Sequence, residues 1–337
     1  LTMISFRTPP PNGYGRIIRG PQREVLRITE AKDCSPEELL IDEVNSGVYA
    51  VDSSFLKPAI DALENKNSQG EYYLTDIVER ASKEGQTVHA FPLGDPKEAA
   101  GVNTMADLAF VNGVLEERLI QTLQSAGVIF DAASSCSIDQ SVTIEPGARI
   151  GPHIQLRGST TIAAGAHLEG SSLIINSSVG PAAHIKLASR IEDSTIGAEC
   201  SVGPFANVRP GTTLGSRVRI GNFVEVKSAT LRDGAKASHL TYLGDCVVGE
   251  ETNIGAGTIT CNYDGYQKSR TTIGKNVFIG SNSCLVAPVT IGDGSLIAAG
   301  SVITEDVPSD ALALGRARQE TKPSWAQKRR ESLSKKT

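Results

Sequence analysis

From Ile138 onward an aliphatic side chain returns at every sixth position, through Ile144, Ile150, Leu156 and Ile162 to Leu168. The beat resumes at Val179, Ile185 and Ile191, then at Ile196, Val202, Val208, Leu214, Ile220 and Val226. Its last run is Ile273, Ile279, Leu285, Ile291, Ile297 and Ile303. A period of six fits neither an amphipathic helix nor a half-buried strand. Small residues follow several of the aliphatic ones, as in Ile150-Gly151, Ile196-Gly197, Ile220-Gly221, Ile254-Gly255 and Ile291-Gly292. One short strand and one corner per hexad, with three hexads to an eighteen-residue coil, describes a triangular parallel β-helix.

The pattern is different before that. Residues 1–105 read as a partial mixed α/β domain, with strands expected at Gly47–Val51 and Val88–Phe91. Ser53 or Ser54 is expected to cap a helix through Leu56, Ile60 and Leu63, and Thr75 a second one before Ile77 and Val78. The segment is too short of leading strands to be a whole doubly wound domain, and Leu1-Thr2-Met3 reads as the middle of a strand, as in a fragment. Over 106–127, Thr104 and Asp107 resemble a capping box, and Leu108, Val111, Leu115, Leu119 and Leu123 mark one face of a connecting helix that stops near Gly127. The coil is expected over 128–310 and a basic tail over 311–337. Within the coil the beat is suspended around His239, and a polar loop from Cys261 to Arg270 interrupts it. Polar loops on solenoids are favoured places for function.

Composition narrows the class. A net charge of −5 argues against a nucleic-acid partner, and few aromatics with 33 Gly suit tight corners around a narrow aliphatic interior. Cys34, Cys136, Cys200, Cys246, Cys261 and Cys284 are scattered without a Cys-x-x-Cys pair, which points to reduced thiols in a cytoplasmic protein. No apolar run is long enough to span a bilayer, and no signal-peptide pattern opens the chain, so no membrane partner is expected. The tail charges Arg316, Arg318, Lys322, Lys328, Arg329, Arg330, Lys335 and Lys336 read as a solvated, partly disordered terminus.

His239 is the candidate general base, since a histidine titrates near neutral pH. An isolated corner histidine on the surface is the plain alternative. Its company favours chemistry: Arg209, Glu225 and Lys227 lie a coil or two before it, and Asn253 follows. Arg209 and Lys227 are eighteen apart, so an eighteen-residue coil stacks two cations on one face, which suits a phosphate or another anion. His89, His153, His167 and His184 show no paired metal-ligand spacing, and Gly255-Ala256-Gly257 is weak as a phosphate loop because corners need glycine anyway.

Several runs resemble one family closely: Gly203-Pro204-Phe205-Ala206, Arg209-Pro210-Gly211, Gly221–Glu225, His239–Asp245 and Asn253–Gly265. The family is that of the bacterial bifunctional N-acetylglucosamine-1-phosphate uridylyltransferase / glucosamine-1-phosphate N-acetyltransferase. The resemblance implies a left-handed β-helix, assembled as a homotrimer with acetyl-transfer sites between neighbouring coils. It implies that Arg209, Lys227 and Lys268 grip the sugar phosphate, that Tyr242 and Asn253 contact the sugar, and that His239 is the base. Glu225 is a weaker candidate for holding the sugar or orienting the amine. Acetyl-CoA is expected on Ala256, Asn262, Tyr263, Ser281, Ala299 and Arg316. Gly13–Arg16, Glu30–Asp33, Asn45–Gly47, Gly70–Tyr73 and Gly101–Asn103 resemble the later part of the uridylyltransferase domain. By that likeness Gly15, Glu30, Asn45 and Asn103 would contact UDP-N-acetylglucosamine, with Asn103 near Mg2+. The family's Gly-rich nucleotide motif and metal-binding Asp are absent from the sequence, so uridylyl transfer is not expected of these residues. Two other readings stay open: a non-catalytic β-helical scaffold, and a β-helix acyltransferase for another amino acceptor.

Overall fold

Aliphatic residues at every fifth or sixth position meet inside a coil because each short strand turns alternate side chains in and out. In the computed structural model, which describes residues 1–334, three parallel sheets of eleven, ten and nine strands enclose that interior. The architecture is a left-handed parallel β-helix. On the eleven-strand face Ile150, Leu168, Ile185, Val202, Ile220, Ala237, Ile254, Ile279 and Ile297 stack rung upon rung, each at most 2% exposed. Burying one such aliphatic side chain contributes about 1.5–3 kcal/mol, so the stack dominates the stability of this unit.

The eighteen-residue spacing holds for Asn207 and Glu225, but His167 pairs with His184 and Asn222 with His239, seventeen apart. Coils one corner residue shorter explain why the sixfold beat breaks in the sequence. The expected suspension around His239 is corrected here: Leu231, Ala237, Leu243 and Val248 keep the interior filled, all fully buried. Corners turn in the left-handed region, often without glycine, as at Phe205 (φ 55°), Phe223 (57°), Leu240 (46°) and Asn282 (57°). The interrupting loop leaves the coil after the Ile259–Cys261 strand and rejoins in register at Thr271–Ile273.

The chain divides into two compact units, Leu1–Leu115 and a second from Glu116 onward. In the first, strands β1 (Thr2–Arg7), β2 (Arg16–Arg19), β3 (Val25–Thr29), β4 (Glu43–Ala50) and β5 (His89–Pro92) form a mixed sheet in the order β3-β2-β4-β1-β5. Helices α1 (Ser53–Asp61) and α2 (Asp76–Lys83) supply Phe55, Ala59, Ile77 and Val78 to its core. One expected cap is replaced, and the other, Thr75, holds the N-cap position without a capping side-chain hydrogen bond. Asp52, not Ser53 or Ser54, caps α1 by accepting from the Ser54 N–H at 2.9 Å, and the Thr75 hydroxyl donates to Glu30 at 3.0 Å instead of capping α2.

Helix α3 (Met105–Ser125) begins as expected, with the Thr104 hydroxyl accepting from the Asp107 N–H at 3.2 Å and the Asp107 carboxylate accepting from the Thr104 N–H at 2.8 Å. It ends at Ser125, and the chain turns away at Gly127, whose φ is 96°. Its buried residues are Val114 and Ile120, with Leu119 and Leu123 against the coil core, whereas Leu108 and Leu115 are exposed. Glu116 accepts the Ile138 N–H at 3.1 Å at the first full coil. The tail carries an exposed helix α4 (Trp325–Ser334), more ordered than its composition suggests, while Lys335 and Lys336 lie outside the described residues. No helix among the described residues is long and apolar enough to cross a membrane.

All six cysteines are free. Burial pushes the Cys246 thiol up to about 12 and Cys200 to about 11. Alkylation of the native protein should therefore spare these two and Cys136 and modify the half-buried Cys34, Cys261 and Cys284. Mass spectrometry of the alkylated peptides checks this, and early labelling of Cys246 would contradict the packing.

Candidate acyl-transfer site

Arg209, Glu225, Lys227 and Tyr242 emerge from adjacent rungs of the ten-strand face, where Asn207 pairs with Glu225 and Glu225 with Tyr242. Register does the positioning. Val208, Val226 and Leu243 point inward, so the residues on either side of each point out. Lys227 stands opposite Gly244, and the Tyr242 ring lies across Gly244 where any Cβ would meet it. Glu225 holds Arg209 at 2.7 Å in a direct ion pair.

Lys268 reaches the same place from the interrupting loop. The loop folds back on itself: Tyr263 and Lys268 form an antiparallel bridge, and the Asp264 carboxylate accepts the Tyr266 and Gln267 N–H groups at 2.8 Å. Asn262 is buried at the loop's base and donates to Asp245, while Tyr263 donates to the Gly265 carbonyl at 2.6 Å and is otherwise exposed. The Lys227 ammonium is held below the ordinary lysine range, first by the close approach of the Lys268 side chain, a second donor, then by the Lys268 and Arg209 charges. Arg209 is pushed the other way, chiefly by its hydrogen bond to Glu225. Like charges brought together on an exposed face favour an anion between them.

His239 ends the Lys236–His239 strand, at the corner between the eleven- and ten-strand faces. Its Nδ1 lies 3.3 Å from the Asn222 side-chain oxygen, and the Thr241 hydroxyl donates to its carbonyl at 2.7 Å. The imidazole borders a depression of about 340 Å³ lined by Lys186, Arg219, Asn222 and Ser238. Above it the same corner runs on through residues expected to hold the acyl donor. The Gly257 N–H donates to Leu240, Asn282 to Ala256, Gly300 to Ser281, and the Arg316 guanidinium to the Ala299 carbonyl at 3.0 Å. Ala256, Ser281, Ala299 and Arg316 thus form one column that descends to His239. Asn253 stands apart from Tyr242, on the eleven-strand face above Lys236, roughly 10 Å along the strand from the level of His239.

In the front unit the Gly15 carbonyl accepts the Asn45 N–H at 2.9 Å, and a Cβ at Gly15 would crowd the Glu30 carboxylate. Asn45 donates to the Tyr49 hydroxyl at 2.7 Å, and burial pushes that phenol up to about 12. Asn103 is not joined to this group by any hydrogen bond; its N–H donates to Asp107, which is engaged in starting α3. The described residues hold no group of three or more His, Cys, Asp or Glu side chains placed for a metal ion.

Residues 193–228 match the family model described as bacterial transferase hexapeptide (six repeats), and residues 270–305 that of the hexapeptide repeat of succinyl-transferase. The repeat is that of the hexapeptide-repeat transferases, and the chain is an N-acetyltransferase. The bifunctional protein GlmU of Pelobacter propionicus is 45% identical over 96% of this chain and 71% of its own length, and that of Fervidobacterium nodosum 47% identical over 99% and 72%. The chain belongs to the bifunctional GlmU family. Among solved structures, Arabidopsis UDP-N-acetylglucosamine acyltransferase is 19% identical over 59% of this chain and 76% of its own, with a TM-score of 0.37.

Proposed function

We propose that this protein transfers the acetyl group of acetyl-CoA to the amine of glucosamine 1-phosphate. The observation that carries the proposal is the meeting of Arg209, Lys227 and Lys268 on one face, beside a corner where the Ala256–Arg316 column reaches His239. The phosphate sits among the three cations and Tyr242 carries the sugar, so the amine faces His239. The donor lies along the column and against Asn262 and Tyr263. The amine nitrogen attacks the thioester carbonyl, its proton passes to His239, the C–S bond breaks, and the departing thiolate takes the proton back. Much of the rate comes from holding amine and thioester together. Glu225 acts through Arg209, keeping the guanidinium in place.

Asn253 shares no face with Tyr242 in one copy, which supports a site completed by a neighbouring coil in a homotrimer. A thiol-release assay with acetyl-CoA and glucosamine 1-phosphate tests the reading. Release excludes an inert scaffold, no release from a folded trimer sinks the proposal, and preference for another amino acceptor would redirect it. In the front unit, the convergence of Gly15, Glu30 and Asn45 supports binding of UDP-N-acetylglucosamine without metal-dependent transfer. Calorimetric titration with that sugar nucleotide is expected to show binding that Glu30→Ala abolishes.

The depressed Lys227 has a consequence for pH. A lysine whose pKa is lowered keeps its charge at low pH and loses it as pH rises, sooner than an ordinary lysine does. The kcat/KM for glucosamine 1-phosphate should therefore fall in the alkaline range earlier than an unperturbed lysine would allow. Lys268→Ala should weaken binding yet move that fall to higher pH, and a pH series on both proteins checks it.

A further inference from the structure

We propose that Asn222 is a positioning residue for His239: it fixes the imidazole tautomer that leaves Nε2 free to take the proton. The inference rests on the base role proposed for His239. An amide oxygen only accepts, so the 3.3 Å contact with the Asn222 oxygen is a hydrogen bond when the proton is on Nδ1, which leaves the lone pair on Nε2. Free histidine side chains favour the opposite tautomer, with Nε2 protonated and useless as a base. The partner is well placed to override that preference. Asn222 closes the Arg219–Asn222 strand, pairs with His239 in the ladder, and accepts the Leu240 N–H at 3.1 Å with its own carbonyl. Thr241 pins the His239 carbonyl on the other side.

The chemistry of the partner matters as much as its position. His184, three rungs before His239 on the same face, is paired with the Glu169 carboxylate at 2.8 Å. His239 has an uncharged amide instead, and the nearest charges across its depression, Lys186 and Arg219, are both cations. A carboxylate would hold the ring equally well but would also stabilise the imidazolium and retain the proton. The amide orients the ring without that attraction.

The experiment uses the full chain in three forms. In wild-type protein labelled with 15N-histidine, the His239 ring should show a protonated Nδ1 and a bare Nε2. Asn222→Ala should turn the ring toward the other tautomer and lower kcat about ten-fold or more with KM for both substrates little changed. Asn222→Asp should restore orientation and move the acid limb of the kcat/KM profile to higher pH, a shift that a merely structural role would not produce. A bare Nδ1 in the wild type, or an Asn222→Ala protein with unchanged spectrum and kcat, overturns the proposal. The spectra do not depend on turnover, so they stand apart from the base role, which falls on its own if His239→Ala stays active.

Discussion

His239→Ala is expected to slow acetyl transfer by about 10²–10⁴-fold, the usual worth of a positioned general base. The loss should fall on kcat, because Arg209, Lys227 and Lys268 still hold the phosphate and the donor column above His239 is untouched. Folding should not suffer. The His239 side chain is exposed, and the interior position of its strand belongs to Ala237, which is fully buried. Sedimentation and thermal melting should match the wild type, so that the deficit is chemical. Near-normal turnover would remove His239 from the mechanism.

Gly221→Ala should damage both stability and activity, though the change adds one methyl group. A Cβ at 221 would stand 1.8 Å from the Ser238 carbonyl oxygen, one rung above. That neighbour is backbone, held in the ladder by Ile220↔Ala237 and Asn222↔His239, so no flexible side chain can move aside. The rungs must part. Overpacking of this kind costs about 1–3 kcal/mol, and it separates His239 from Asn222. A displacement near 1 Å at a reacting group can cost about 10²-fold in rate. Gly13→Ala is the control, since a Cβ there meets nothing within 4 Å. A Gly221→Ala protein that melts and turns over like the control would mean that the two coils are spaced differently.

The hexad made the coil legible because a closed triangular coil has almost no other way to bury one residue in six. Its interior was only partly legible. Ala237 does not stand out as aliphatic, and coils shortened to seventeen shift the beat, so the region around His239 looked irregular while its core was complete. The same shift hid pairings. Arg209 and Lys227 obey the eighteen-residue rule and could be stacked from their numbers, but Asn222 faces His239 at seventeen and Arg209 meets Glu225 at sixteen. Asn222 was present in a recognised run, yet only the register gave it a neighbour. In the front unit the local signals were ambiguous by one residue. Asp52, Ser53 and Ser54 are all good caps, and the choice depended on which side chain could reach the Ser54 amide.

A solenoid contacts only its neighbours, so its hydrogen bonds open most readily from the ends inward. The strand carrying His239 is fifth from the end on its face, whereas Ala299 lies in the last coils and Arg316 follows the final Leu312–Ala313 strand. Amide exchange should therefore run fastest beneath the far end of the donor column and slow steeply toward Asn222 and His239. The half of the site that must release a bulky, spent carrier is built on the part of the coil that breathes, and the half that aligns the reacting atoms is built on the part that does not.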